Sequence, residues 1–315
     1  MSNRFLDVFE IKDHVLVSCK PHVDTATIPD GVSAIGFRAF YNCRNLVSVT
    51  IPEGVTHIDA QAFEGCSKLK TVILPRTLQS IGKSAFHACE KLRSISVPDN
   101  VTTIGSGAFW GCRSLADKDG FVIFRDVLYC CFKRNGSVTV PDNVRVISDW
   151  AFYWATEISS VTLPDSIILI DDRAFCGCKE LSSIRIPGHV SRIGVQAFSD
   201  CRKLSSFTVP GNVESIGSNA FYNCPSLSSV KLEEGVKVIE DWAFCKCKSL
   251  RSVEFPESVT SIGKHVFDEC PNLTITAPVE SAAIGYALAN RINLIGVKRV
   301  EKPRGFLSRL FKRKR

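Results

Sequence analysis

Apolar residues return in the same order every 23 positions along most of this chain. The clearest marker is an Ala-Phe pair. Its ring falls at Phe40, Phe63, Phe86 and Phe109, then at Phe152, Phe175, Phe198, Phe221, Phe244 and Phe267, with Val266 replacing Ala in the last. Every step is 23 residues except Phe109 to Phe152, which is 43. Five positions before each Phe stands Ile in all ten units, from Ile35 to Ile262. Eleven before it stands Pro, replaced once by Glu233; three after it Cys, replaced once by Ala155; six after it Leu, replaced once by Ile158. A unit this short cannot bury its own apolar side, so the pattern predicts a solenoid in which each coil covers the next.

Inside the unit, segments such as Ser48–Pro52 (SVTIP) and Ser206–Pro210 (SFTVP) alternate, which predicts a half-buried strand. Pro ends it, because Pro cannot donate to a ladder. The Val-x-x-Ile stretch predicts a second short extended piece, and the Gly or Asp after the Ile predicts a turn. The Ala-Phe segment is expected to be a helical turn or an irregular corner that wedges Phe into the core. At about 4.8 Å per coil, ten coils make a rod of roughly 50 Å. The expected fold is a β-rich, right-handed, leucine-rich-repeat-like solenoid of stacked short parallel strands.

The long step holds an insertion, and its sequence has a counterpart near the start of the chain. Phe9 matches Phe121, Ile11 matches Ile123, Val15-Leu16 matches Val127-Leu128, and Cys19 matches Cys131, all at an offset of 112. Both predict a β-hairpin that opens a block of repeats. The expected organisation is a hairpin cap at 1–24, a first block at 25–115, a hairpin insertion at 116–140 and a second block at 141–276. A C-terminal cap follows at 277–297 and a basic amphipathic tail at 298–315. One continuous core is expected, with a change of curvature at the join. Ile284, Ala287, Leu288 and Ile292 fall at helical spacing and predict a short capping helix, followed by a strand near Ile292–Val297.

Charge is segregated. The net charge is +7, but residues 298–315 hold nine Lys or Arg and one Glu, a net of +8, so the other 297 residues sum to −1. The body lacks the basic excess expected of a nucleic-acid binder. The first twenty residues carry charges throughout and contain no apolar run of signal-peptide length. No run of eighteen apolar residues occurs. The simplest location on this reading is the cytoplasm, where most of the fourteen Cys would be reduced. Sequons at Asn100, Asn135 and Asn272 matter only in an exported chain.

The phrase from Ile51 to Pro75, IPEGVTHIDAQAFEGCSKLKTVILP, resembles the 23-residue unit of the BspA-like leucine-rich repeat family. The Val-Leu-Tyr of the insertion (127–129) and the terminal helix also look like features of that family. The resemblance covers roughly Thr25 to Val297. It implies a repeat fold and an interaction module; members occur as bacterial surface adhesins and as proteins of microbial eukaryotes.

Candidate binding residues lie on the alternating strand. One outward column is Ser or Thr in all ten units, from Thr25 to Ser252, which is too uniform to encode a partner. The second outward column varies: it includes Thr50, Ile73, Ser96, Thr162, Arg185, Thr208, Lys231 and Glu254. Together the two would line a hydroxyl-rich sheet face, with specificity carried by the second column. Small hydroxyl residues also suit stacked parallel strands through cross-strand pairing alone.

The Cys column reads most simply as a buried apolar ladder, with disulfides between neighbouring coils as the alternative. The pairs Cys176/Cys178 and Cys245/Cys247 lie three coils apart, roughly 14 Å, too far to share one zinc. No metal or cofactor is expected. His-Glu-x-x-His, Gly-x-Ser-x-Gly and phosphate-loop motifs are absent from the sequence. The chain therefore reads as a non-enzymatic, monomeric scaffold for a protein ligand. In the tail, Phe306, Leu307, Leu310 and Phe311 fall on one helical face beside Arg309, Lys312, Arg313, Lys314 and Arg315. Such a segment can lie on an anionic membrane or meet an acidic partner; a nuclear-localisation or nucleic-acid patch and a disordered solubilising tail are the other readings. The runner-up function is an adhesin exported by an unrecognised route.

Overall fold

The structure, a computed structural model, describes residues 8–133 and 135–298. It is a β-solenoid of about twelve turns with one C-terminal helix. Each repeat contributes a front strand from the segment before Pro, and a two-residue back strand ending at the invariant Ile. Neighbouring coils pair in parallel at the repeat offset, so Ser229 lies opposite Ser252 and Ile216 opposite Ile239. Within each sheet the columns found in the sequence are thereby physical stacks.

The back strands form two sheets. The first runs from the hairpin Phe9–Lys12/Val15–Cys19 through Ala34–Ile35 to Thr103–Ile104. The second runs from the hairpin Phe121–Phe124/Val127–Cys131 through Val146–Ile147 to Ser261–Ile262. The two hairpins share one geometry. Phe9 faces Cys19 as Phe121 faces Cys131, and each has its irregularity at the same step, Glu10/Ile11 and Val122/Ile123.

Between the back strand and the next front strand the chain turns a corner, with no helix. Ala62 N donates to the Asp59 carbonyl and Cys66 N to the Phe63 carbonyl, closing two successive four-residue turns. The third residue of each turn has positive φ, as in Gln61 (59°) and Gly65 (75°). Type II turns require this conformation. The two positions, two before and two after each Phe, have positive φ in all ten units. Between them the ring points inward. Phe40, Phe63, Phe86 and Phe109 stack with centroids 4.7–5.6 Å apart, and Phe152 to Phe267 stack at 4.8–5.5 Å.

Two expectations need correction. The core is not continuous: the buried residues form two clusters, one per block. The inserted hairpin lies between them, with Val122 and Cys130 packed on the first block and Phe121 and Leu128 on the second. Alternation along a strand makes this unavoidable, because successive side chains point to opposite faces. The capping helix Ala282–Ala289 keeps most of the expected face, with Ala287 buried and Ile284 and Ile292 packed on the core, but turns Leu288 outward. Ala283 and Ala287 are buried while Leu288 is 67% exposed. The small residues allow the helix to approach the last coil, where Tyr286 meets Phe267 edge-on at 6.0 Å. The final strand spans Asn293–Lys298 and pairs with Thr274–Pro278.

Candidate functional site

The front face is divided into three sheets. These are Thr25–Thr27 to Ser94–Ile95, then Asn135–Thr139 to Ser183–Ile184, then Ser206–Val209 to Asn293–Lys298. The first break has a local cause. After Phe109 the chain makes a short 3₁₀ turn at Arg113–Leu115 and enters the inserted hairpin, so that coil has no front strand. The carboxylate of Asp117 accepts the N–H groups of Asp119 and Phe121, fixing this departure.

The expected single hydroxyl-lined face is therefore three shorter ones. Thr50 lies directly opposite Ile73 in the first sheet. Ser96 follows the last strand of that sheet, and Ile73 and Ser96 line one cleft of about 570 Å³ with Leu74, Arg76, Asp99 and Asn100. Thr162 ends a strand of the middle sheet, and Arg185 lies just beyond Ser183–Ile184. In the third sheet Thr208 faces Lys231, and Lys231 faces Glu254. The last two line a cleft of about 440 Å³ with Phe255 and Pro278.

All eight side chains are exposed or half-buried. Ile73 stands out at 55% exposure, because Val72 beside it takes the inward position. Arg185 meets Asp165 at 3.1 Å with both groups well exposed, a pair worth at most about 1 kcal/mol. In the uniform column Ser160 donates to Ser137 at 2.8 Å and Ser48 to Thr25 at 3.4 Å. The tail residues Phe306, Leu307, Arg309, Leu310, Phe311 and Lys312–Arg315 lie outside the described residues.

All fourteen thiols are free. In the repeat column eight of the nine Sγ atoms donate to the Phe carbonyl of the preceding coil, as from Cys66 to Phe40 at 3.1 Å and from Cys224 to Phe198 at 3.2 Å, while Cys43 of the first coil meets the Cys19 carbonyl. Burial disfavours the thiolate at Cys89, Cys178, Cys201, Cys224, Cys247 and Cys270 and pushes Cys112 up to about 12. Among the described residues no group of three or more His, Cys, Asp or Glu is arranged to hold a metal, and no helix is long and apolar enough to cross a membrane.

The corner carries a second set of surface residues that strand alternation could not reveal. All four Trp lie in the three outward corner columns, two before, one after or two after the Phe: Trp150 and Trp242, Trp110, and Trp154. Tyr41, Tyr153 and Tyr222 share the column of Trp110. Cations sit over several of these rings, Arg38 over Tyr41 at 4.7 Å, Lys179 over Trp154 at 4.5 Å and Lys246 over Tyr222 at 5.0 Å. Reading those columns in the aligned units would have found them.

At the join the corner opens. Trp110, Trp150, Tyr153 and Trp154 meet there with Phe132 of the hairpin and line a cleft of about 420 Å³. Several contacts tie the blocks around it. Arg125 donates to the carbonyls of Val101, Pro98 and Asp99, each at 2.9 Å. The Cys130 thiol donates to the Phe109 carbonyl at 3.4 Å. Asp149 is buried, and its carboxylate accepts from Ser106, Ser148 and the Gly107 N–H. Burial raises its pKa despite those donors.

No curated protein matches the chain. Among solved structures, it is similar to a leucine rich cell surface protein from Faecalibacterium prausnitzii A2-165, at 26% identity over 93% of each chain and a TM-score of 0.41. It is also similar to a leucine-rich repeat protein from Eubacterium ventriosum ATCC 27560, at 21% identity over 78% of this chain and 82% of that one, TM-score 0.54. The pneumococcal vaccine antigen PcpA aligns at 19% identity over 88% of this chain and 80% of that one, TM-score 0.55. The last two share the fold. The family described as BspA type Leucine rich repeat region (6 copies) matches residues 9–135, 122–236 and 214–299. With the 23-residue stacks now seen as physical coils, this match establishes that the chain belongs to the BspA-type leucine-rich repeat family.

Proposed function

We propose that the chain is a non-enzymatic scaffold that recognises a protein ligand through the front face of its solenoid, acting as a monomer. The observation that carries this reading is Ile73. It is an apolar side chain left 55% exposed beside a cleft, on a face whose other outward positions are hydroxyl or charged. Burying it against a partner contributes about 1.5–3 kcal/mol. Arg185, Lys231 and Glu254 vary the same column and supply the polar part of the recognition, and Thr50, Ser96, Thr162 and Thr208 complete it. The Ser/Thr column beside it is the common floor.

In this reading the tail, Phe306 to Arg315, sets location by contact with an anionic membrane surface or an acidic partner, and the chain works in the cytoplasm. The test is affinity capture from the source organism, comparing the full chain with one ending at Val297 and with full-length Ile73→Asp. Partners kept by the shortened chain and lost with Ile73→Asp support recognition by the front face. Partners lost only with the tail transfer recognition to the basic segment. Recovery of the chain outside cells, or its loss on protease treatment of intact cells, replaces the cytoplasmic reading with that of an exported adhesin.

A further inference from the structure

The cleft at the join differs from the clefts of the front face in shape, chemistry and origin. It exists because the corner ladder is interrupted there. Along the regular coils each corner N–H reaches the next coil, as from Ala88 to Trp110 and from Trp154 to Cys176. Across the join, Gly111 N–H instead faces the Cys130 thiol, and the hairpin strand Val127–Cys131 fills the space behind. Trp110, Gly111, Phe132, Lys133, Tyr153 and Trp154 line the cleft, and Trp110 meets Tyr153 edge-on at 6.2 Å.

Two tryptophans of the cleft occupy costly positions. Trp150 has φ 63° and Trp154 φ 56°, a conformation that costs a bulky residue about 1–3 kcal/mol. In the column of Trp154 both neighbouring coils use glycine, at Gly111 and Gly177, and in the column of Trp150 the preceding coil uses Gly107 and the following one Arg173. The glycines also make room for the rings. A Cβ on Gly107 would stand 2.8 Å from Trp150 Cε3, and one on Gly177 3.1 Å from Trp154 Cδ2. The fold alone would favour Gly at 154, yet the chain places there an indole that is 49% exposed.

The charged residues lining the cleft are balanced, and Lys179 adds one cation over the Trp154 ring at 4.5 Å. Among the described residues the cleft is lined by two carboxylates, Glu90 and Glu157, and two cations, Arg113 and Lys133. A site for a phosphate, a sulfated chain or a peptide of one charge sign would carry an excess of the opposite sign. A balanced rim of donors and acceptors suits a neutral ligand rich in hydroxyl groups, and flat aromatic faces suit its C–H surfaces. The aromatic residues that line this cleft are gathered at the join. An extended proline-rich segment, at about 3.1 Å per residue, needs a longer run of ridges.

We propose that this junction is a binding site for a neutral saccharide, whose ring stacks on Trp154 and Trp110 while Glu90, Arg113, Lys133 and Glu157 meet its hydroxyl groups. This site is separate from the front face and does not depend on the protein-recognition reading.

The test uses the full chain on an array carrying neutral oligosaccharides (glucan, mannan, galactan and chitin fragments), sulfated glycans and proline-rich peptides, with calorimetry on the best neutral sugar. Binding to a neutral sugar is expected, weakened at least tenfold by Trp154→Gly and kept within about threefold by Trp154→Phe. Glycine is at ease at this φ, so Trp154→Gly leaves the melting temperature unchanged or raised, and a loss of binding cannot be ascribed to unfolding. Sugar binding that survives Trp154→Gly overturns the site. Binding only to sulfated glycans, binding only to proline-rich peptides, or no binding at millimolar sugar each overturns the proposal.

Discussion

The thiol of Cys201 donates to the main-chain carbonyl of Phe175 at 3.3 Å, linking the corner of one coil to the ring-bearing residue of the coil before it. The same carbonyl accepts the Cys178 N–H at 3.2 Å. The sulfur therefore contributes volume and a weak second bond, without rescuing an otherwise lone acceptor. Cys201→Ala is expected to cost about 1–2 kcal/mol, the range of a small cavity plus a weak bond. Cys130→Ala should cost a similar amount, although Cys130 lies outside the repeat register, because it fills the same place against Phe109. Urea unfolding of the two variants checks this; a negligible effect at Cys130 would mean that the hairpin does not complete the ladder.

The thiols also set a limit on the alkaline side. Burial raises Cys112 to about 12 and Cys131 and Cys176 to about 11, against an ordinary value of 9.0. The unfolded chain ionises first, so this contribution to stability is complete below pH 9 and is lost as pH rises through 11 to 12. The urea midpoint should fall steadily across that window. At pH 8 iodoacetamide should label the folded chain slowly and all fourteen thiols once urea unfolds it. Fast labelling of the folded chain at pH 8 would contradict the burial.

Much of this was legible in the sequence because a stack repeats each choice ten times. The Phe, Ile, Leu and Cys columns were all visible as buried positions, and the offset of 112 disclosed the second hairpin. Three features were not legible. The division of the core follows from Val122 and Cys130 facing one way and Phe121 and Leu128 the other, which depends on where the hairpin docks. The buried face of the last helix follows Ala283 and Ala287 because close approach rewards small residues, whereas the apolar spacing favoured Leu288. The corner aromatics escaped because outward positions were sought by strand alternation, a period that stops at Pro. Of the candidate residues, adjacency within a column was predictable, as for Thr208, Lys231 and Glu254, but the breaks between sheets were not.

Asp149 gives the join its own pH dependence. Burial raises its carboxyl pKa above 3.8, and the donors Ser106, Ser148 and Gly107 N–H only partly offset this. Folding therefore favours the protonated form, and its contribution is greatest below the unfolded pKa and is lost as pH rises through the folded value. Asp149→Asn removes the charge while its amide oxygen still accepts a hydrogen bond. The variant is expected to be no less stable than the parent at pH 7, with any margin vanishing below about pH 4. A variant that is less stable at neutral pH would show that the ionised carboxylate holds the blocks together.

The two blocks make unequal demands on the hairpin between them. The second block keeps a cover at both ends when the chain begins at Phe121, since its opening hairpin and the helix Ala282–Ala289 both remain. The first block ends on Phe109, whose ring is covered by Phe124 at 4.7 Å and Tyr129 at 5.8 Å, both from the hairpin. A solenoid end without a cover exposes its core and associates. A fragment of residues 121–298 should fold cooperatively and remain monomeric. Residues 8–120 should aggregate, and extension to residue 133 should restore solubility by returning Val122, Phe124, Tyr129 and Cys130 to the first core. Circular dichroism melting and light scattering on the three fragments decide it. A soluble, folded 8–120 would mean that the inserted hairpin belongs to the second block alone.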